Sequence, residues 1–196
     1  MKRWIAAAAA AIALTGFTGV AFADPYQDGI AAAYRGDYST AARLWRPLAE
    51  GGLAEAQNNL GALYARGWGV KKDDAEANKW YVAAAQQGLA DAESNLGFQY
   101  ERGIAVAQDY DEAVMWYKRA AEQGHAGAEA NLGLMFANGT GVPKDSVTAF
   151  MWLGLASAQG NAGARQALGS LIQSMTQDEI AEGQKRQIEA KRAAKK

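Results

Sequence analysis

The chain of 196 residues has no cysteine, one histidine and three prolines. Without cysteine there can be no disulfide, no thiolate nucleophile, no zinc–sulfur site and no lipid-modified cysteine. A single histidine, His125, cannot build a multi-histidine metal site and is a poor start for a catalytic triad, so it reads as a surface or loop residue. Few prolines suit helices, because proline removes a backbone donor and clashes inside them. No serine stands in a recognisable context of histidine and carboxylate. We therefore expect no catalytic residue, no metal site and no cofactor. Gly67-x-Gly69 and Gly139-x-Gly141 lack the Gly-Lys-Ser/Thr ending of a phosphate loop and follow a helix, not a strand. Asp73-Asp74 and Asp109-x-Asp111 lack the glycine and glutamate spacing of a calcium loop.

What the chain does have is abundant alanine and glycine within a 49% hydrophobic composition, enough for a sizeable core built on close helix contacts. Its start follows the order of a secretory signal: Lys2 and Arg3, an uncharged apolar run over 4–20, then Ala21-Phe22-Ala23 ahead of Asp24-Pro25. The apolar run of 17 residues falls short of the roughly 20 that a spanning helix prefers. Residues 1–23 are thus expected to be a cleaved signal peptide and the product periplasmic in a Gram-negative cell. The alternative is a chain anchored in the membrane by an uncleaved N-terminal segment. Six basic residues fall in the last twelve positions, while residues 24–184 carry 12 basic and 20 acidic side chains. Such a body repels phosphate backbones, so nucleic acid is not an expected partner. The basic tail, 185–196, is either a solvated helix end or a weak contact for an anionic envelope surface.

Beyond residue 24 an internal repeat governs the sequence. Asn59-Leu60-Gly61, Asn95-Leu96-Gly97 and Asn131-Leu132-Gly133 recur every 36 residues, as do Trp80, Trp116 and Trp152, and Gly88, Gly124 and Gly160. Asp73, Asp109 and Asp145 keep the same interval. Each unit predicts two antiparallel helices. In the first, Ala56, Leu60, Leu63 and Tyr64 form one apolar face, and Gly67 ends it by taking a left-handed conformation. A short loop follows, whose valine (Val70, Val106, Val142) turns back to the core. The second helix starts at the aspartate. Asp73 with Glu76 and Asp109 with Glu112 resemble capping boxes, and Asp145 caps alone. The tryptophans belong to the core, and Trp68 to a more exposed loop. The units are 54–89, 90–125 and 126–161, preceded by a degenerate repeat or cap over 24–53. A partial repeat with a capping helix follows over 162–184, its last helix opened by Thr176-Gln177-Asp178-Glu179. The fold class is all-α: a superhelical solenoid of stacked helix-turn-helix repeats.

At these residues the chain resembles the Sel1-like repeat family, relatives of tetratricopeptide repeats. The shared pattern runs Ala-x-Ala, Asn-Leu-Gly-x-x-Tyr, Gly-x-Gly-Val-x-x-Asp, Ala-x-x-Trp, Ala-Ala-x-x-Gly. Unit one fits it from Ala54 to Gly88. Unit two departs at Ala105, where glycine is expected, and unit three at Phe136 and Ser157. The resemblance covers 24 to about 175. It implies that the first helices line the concave face of a superhelix and that this face binds a protein or extended peptide segment.

On that face Asn59, Asn95 and Asn131 form a ladder. In related tetratricopeptide domains an asparagine at this place holds a ligand's backbone; the other reading is that these amides bond neighbouring helices. Asn58, Phe98, Arg66 and Arg102 are further outward-facing candidates. Phe98 is either an anchor for a partner or a partly buried ring. Glu55 and Asp91 occupy the places where carboxylate-capturing relatives carry lysines, which disfavours capture of a C-terminal carboxylate. The resemblance thus implies a non-catalytic interaction scaffold or adaptor, acting as a monomer. Two alternatives remain: a cell-envelope hydrolase of β-lactamase type, for which no Ser-x-x-Lys motif is present, and a structural assembly subunit.

Overall fold

The structure, a computed structural model, describes residues 24–193. The segment expected to be a signal, 1–23, and the last three residues of the basic tail lie outside the described residues. The described chain is ten helices: α1 (Pro25–Tyr34), α2 (Tyr38–Glu50), α3 (Ala54–Arg66), α4 (Asp74–Ala85), α5 (Ala90–Arg102), α6 (Tyr110–Glu122), α7 (Ala126–Asn138), α8 (Ser146–Ala158), α9 (Ala162–Ile172) and α10 (Gln177–Ala193).

Each hairpin closes on a small-against-large contact. A Cβ on Gly61 would lie 3.0 Å from the Tyr81 ring, one on Gly97 2.6 Å from Tyr117, and one on Gly133 2.8 Å from Leu153. Glycine at this place lets the second helix press its large side chain onto the first. The alanines at 56, 92 and 128 and the leucines at 60, 96 and 132 are buried beside these contacts. Trp80 is buried, whereas Trp116 and Trp152 are half-buried. Pro47 sits on the exposed side within α2, although proline is disfavoured inside helices.

Gly67, Gly103 and Gly139 end the first helices in the left-handed region, with φ of 69°, 67° and 73°. Asp73, Asp109 and Asp145 each accept backbone amides of the following first turn. The expected capping boxes form by half. The amides of Asp73, Asp109 and Asp145 donate instead to the carbonyls of Tyr64, Tyr100 and Phe136, each at 3.0 Å. The glutamates at 76 and 112 therefore have no free amide to reach, and the same bond ties the two helices of a unit together. The box at Thr176 forms fully, with the Thr176 amide donating to Glu179 Oε2 at 2.8 Å and the Glu179 amide donating back to Thr176 Oγ1 at 3.3 Å.

Successive first helices α5, α7 and α9 touch one another, while successive second helices from α2 to α8 approach less closely. The array therefore curves toward the first-helix side. The end of the array breaks this order. α10 forms no close hairpin with α9 but lies along α8, as an eleventh-hour replacement for the missing outer neighbour. Gly183 faces the Phe150 ring, Gly154 faces the Gln187 side chain, and Arg186 donates to Thr148 Oγ1 at 3.3 Å. The basic segment continues this helix as far as Ala193.

Candidate interaction groove

The first helices present two kinds of polar side chain on the inner wall. The asparagine ladder is engaged within the array. Asn59 Nδ2 donates to Tyr26 Oη at 3.3 Å, and Asn95 Nδ2 donates to Asn58 Oδ1 at 2.9 Å. The Tyr117 hydroxyl donates to Glu101 Oε2 at 2.8 Å, with the Asn131 side chain near enough to act on it. The rungs at Asn59 and Asn95 therefore link one unit to the unit before it, and all three asparagines stay half-buried. Asn58 does not face outward as the sequence reading placed it. It is 9% exposed and serves as the acceptor for Asn95. The equivalent positions one and two repeats on are Ser94 and the buried Ala130, so this column points inward.

Phe98, Arg66 and Arg102 are exposed, and Phe98 is 45% exposed. Arg66, Asn95 and Phe98 come together on the wall of a hollow of about 300 Å³ between α3, α4 and α5, with Lys72, Tyr81 and Gln99 beside them. The Arg102 guanidinium lies 5.7 Å from the Phe98 ring centre, and that of Arg66 lies 4.9 Å from the Trp68 ring centre. Both arginines are thus held by aromatic faces with their charge still turned to water. Burial lifts the Tyr81 hydroxyl to about 12, so it stays a neutral donor. The hollow offers an apolar ring, amide side chains, the Arg66 cation and a Lys72–Asp74 ion pair at 3.3 Å. Asn59 and Asn131 lie outside it, at other rungs along the same wall.

One repeat family and two solved structures share this geometry. The Sel1 repeat model matches residues 54–89, 90–125 and 126–161. The chain belongs to the Sel1 repeat family. The Sel1 repeat protein from Oxalobacter formigenes is similar in structure, with a TM-score of 0.69 and 37% identity over 74% of this chain and 59% of its own. So is c5321 from uropathogenic Escherichia coli, described as a protective antigen displaying an SLR fold, with a TM-score of 0.72 and 32% identity over 81% of this chain and 35% of its own. The chain thus spans less than two thirds of the length of either relative. No curated protein matches. Members of the Sel1 repeat family generally serve protein–protein interaction as non-catalytic scaffolds. Among the described residues no group of three or more histidine, cysteine, aspartate or glutamate side chains converges as a metal site. No described helix is long and apolar enough to cross a membrane.

Sequence reasoning missed a second set of polar rungs, buried within each unit. Gln87 Nε2 donates to Gln57 Oε1 at 2.8 Å, Gln123 Nε2 to Glu93 Oε2 at 2.6 Å, and Gln159 Nε2 to Glu129 Oε2 at 2.8 Å. Glu93 and Glu129 are 1% and 3% exposed. The signal was present: glutamine recurs at 87, 123 and 159, always facing a position next to a buried alanine. His125 is likewise more than a loop residue. Its Nδ1 accepts the Ala128 amide at 3.0 Å, capping α7, and its Nε2 lies 3.2 Å from Asp91 Oδ1.

Proposed function

We propose that this Sel1 repeat protein is an exported adaptor that holds an extended protein segment along its inner wall. The observation that carries this reading is the solvent-facing Phe98 ring between Arg66 and Arg102, above the Asn95 amide. An apolar side chain of the segment would cover Phe98, an acidic side chain would meet Arg66 or Arg102, and its backbone would use free amide capacity at Asn95. On the wall of the hollow Lys72 is paired with Asp74 at 3.3 Å, which leaves Arg66 as the charge that favours an acidic side chain in the segment.

The experiment is site-specific photo-crosslinking in cells from position 98, with position 115, on the second helix α6, as the control. A discrete partner captured from 98, absent from 115 and lost in Arg66→Ala/Arg102→Ala, is the expected result. Equal capture from both positions overturns the groove. Export is tested separately by sequencing the mature N-terminus from a periplasmic fraction, where Asp24 is expected to be first. A chain retaining Met1 in the cytosol overturns that part.

A further inference from the structure

The buried rungs differ in one respect from unit to unit. In unit one the rung is neutral, Gln57 with Gln87, and the position that would face it on the second helix is Ala83. In unit two the rung carries a carboxylate, and a cation comes with it. Arg119 NH2 lies 2.8 Å from Glu93 Oε1, and its guanidinium sits 4.7 Å from the Trp116 ring centre. Glu93 is thus satisfied on both oxygens, by Gln123 on one and Arg119 on the other.

Unit three keeps the carboxylate and the tryptophan but loses the cation. Glu129 stands for Glu93, Gln159 for Gln123 and Trp152 for Trp116, while Arg119 is replaced by Leu155. Only Oε2 of Glu129 receives a hydrogen bond. Among the described residues no cation comes within ion-pair distance of it, although Lys191 of α10 is near enough to act on it through space. Beside Leu155 there is a largely apolar cavity of about 710 Å³, walled by Trp152, Leu155, Ala158, Ala190 and Lys191, with Glu129, Gln159 and the Glu122 carboxylate also on its lining. A carboxylate buried to this depth is costly unless a cation meets it.

We propose that this cavity is a binding site for a guanidinium or primary ammonium group carried on an apolar stem, seated between the Glu129 carboxylate and the Trp152 ring. Arg119 shows the seat in use one repeat earlier: one face of the guanidinium on the indole, one edge on the carboxylate. The volume exceeds what the cation alone fills, and the apolar wall of Leu155, Ala158 and Ala190 accommodates the stem. The site faces α10 and is separate from the groove on the inner wall, so it stands or falls without it. The ligand is either a free alkyl amine or guanidine, or an arginine side chain of a peptide.

Calorimetric titration of the full chain with hexylguanidinium tests the site. Its neutral isostere hexylurea is the control, and acetyl-Leu-Arg-Leu-amide is the peptide arm. Hexylguanidinium is expected to bind at least about tenfold more tightly than hexylurea, a difference of about 1.4 kcal/mol. Glu129→Gln, which installs the residue already present at Gln57, is expected to weaken hexylguanidinium by at least about tenfold. Leu155→Arg restores the unit-two arrangement from within, and is expected to abolish binding and raise the melting temperature. Tighter binding of the peptide than of hexylguanidinium assigns the site to an arginine side chain, and the reverse to a free amine or guanidine. Equal binding of hexylguanidinium and hexylurea, or unchanged binding to a folded Glu129→Gln chain, overturns the proposal. So does an absence of binding that Lys191→Met converts into binding, because Lys191 would then be the resident cation.

Discussion

At position 105 the backbone adopts φ of 62°, the left-handed region, with an alanine where the other two units carry Gly69 and Gly141. A non-glycine residue held there stores about 1–3 kcal/mol of strain. Ala105→Gly relieves it but frees the unfolded chain, so a net gain of about 1 kcal/mol is expected in denaturant unfolding. His125 gives the opposite case. Removing an N-cap side chain costs about 1 kcal/mol, so His125→Ala should lower stability by that amount. His125→Asn should restore most of it, because Asn161 already caps α9 in the same way, accepting the Ala164 amide at 2.9 Å. Glu129 adds a pH dependence. Burial raises its carboxyl above the ordinary carboxylate range, opposed by the Gln159 hydrogen bond and by Lys191. Between the two values the folded chain keeps a proton that the unfolded chain has released, so this group's contribution to stability falls as pH rises. The melting temperature of Glu129→Gln relative to the parent chain should therefore climb as pH is raised from the acid end of that range toward neutrality, and a flat difference would show Glu129 to be ordinarily solvated.

The same glycine means different things in different helices. Gly97 is pressed by Tyr117, and an added Cβ would meet the ring at 2.6 Å. Gly97→Ala must displace a fully buried tyrosine and should cost about 1–3 kcal/mol. Gly169 occupies the equivalent place in α9, yet nothing lies within 4 Å of its added Cβ, because α10 has left that face. There Gly169→Ala should stabilise by up to about 1 kcal/mol, the ordinary helix preference. The 36-residue interval made the helix pairs, their glycine ends and the aspartate caps legible, since each depends on residues close in sequence. The course of α10 was not legible. Thr176 and Glu179 announce that a helix begins, but a capping box carries no information about where the helix then lies. What directs α10 is a pair of glycines far apart, Gly154 and Gly183, that allow close approach to α8. The buried glutamates were hidden for a related reason: an acidic residue in a helix is ordinarily read as solvated, and only the glutamine opposite it reveals the rung. The place of Phe98 on the outward face was legible from the helical register, but whether its ring is exposed or partly buried was not, and the inward turn of Asn58 required the whole column of Asn58, Ser94 and Ala130.

In the molecule as a whole, each unit touches its neighbours and little else, apart from the return of α10 onto α8. Stability in such an array is close to a sum of local terms, and damage at one end need not be felt at the other. Truncation after Ser174 removes α10 and uncovers Phe150, now 5% exposed, together with the base of the Glu129 cavity. The freed α8 face is apolar, so the shortened chain should open locally around α7 to α9 and tend to self-associate in light scattering. Hydrogen exchange then reads how far the loss travels. Amides of α3 to α5 should keep their protection, because nothing they pack against has changed, while those of α7 to α9 should exchange faster. Uniform loss of protection from α1 to α9 would mean that the array unfolds as one cooperative body, with α10 stabilising regions it never touches.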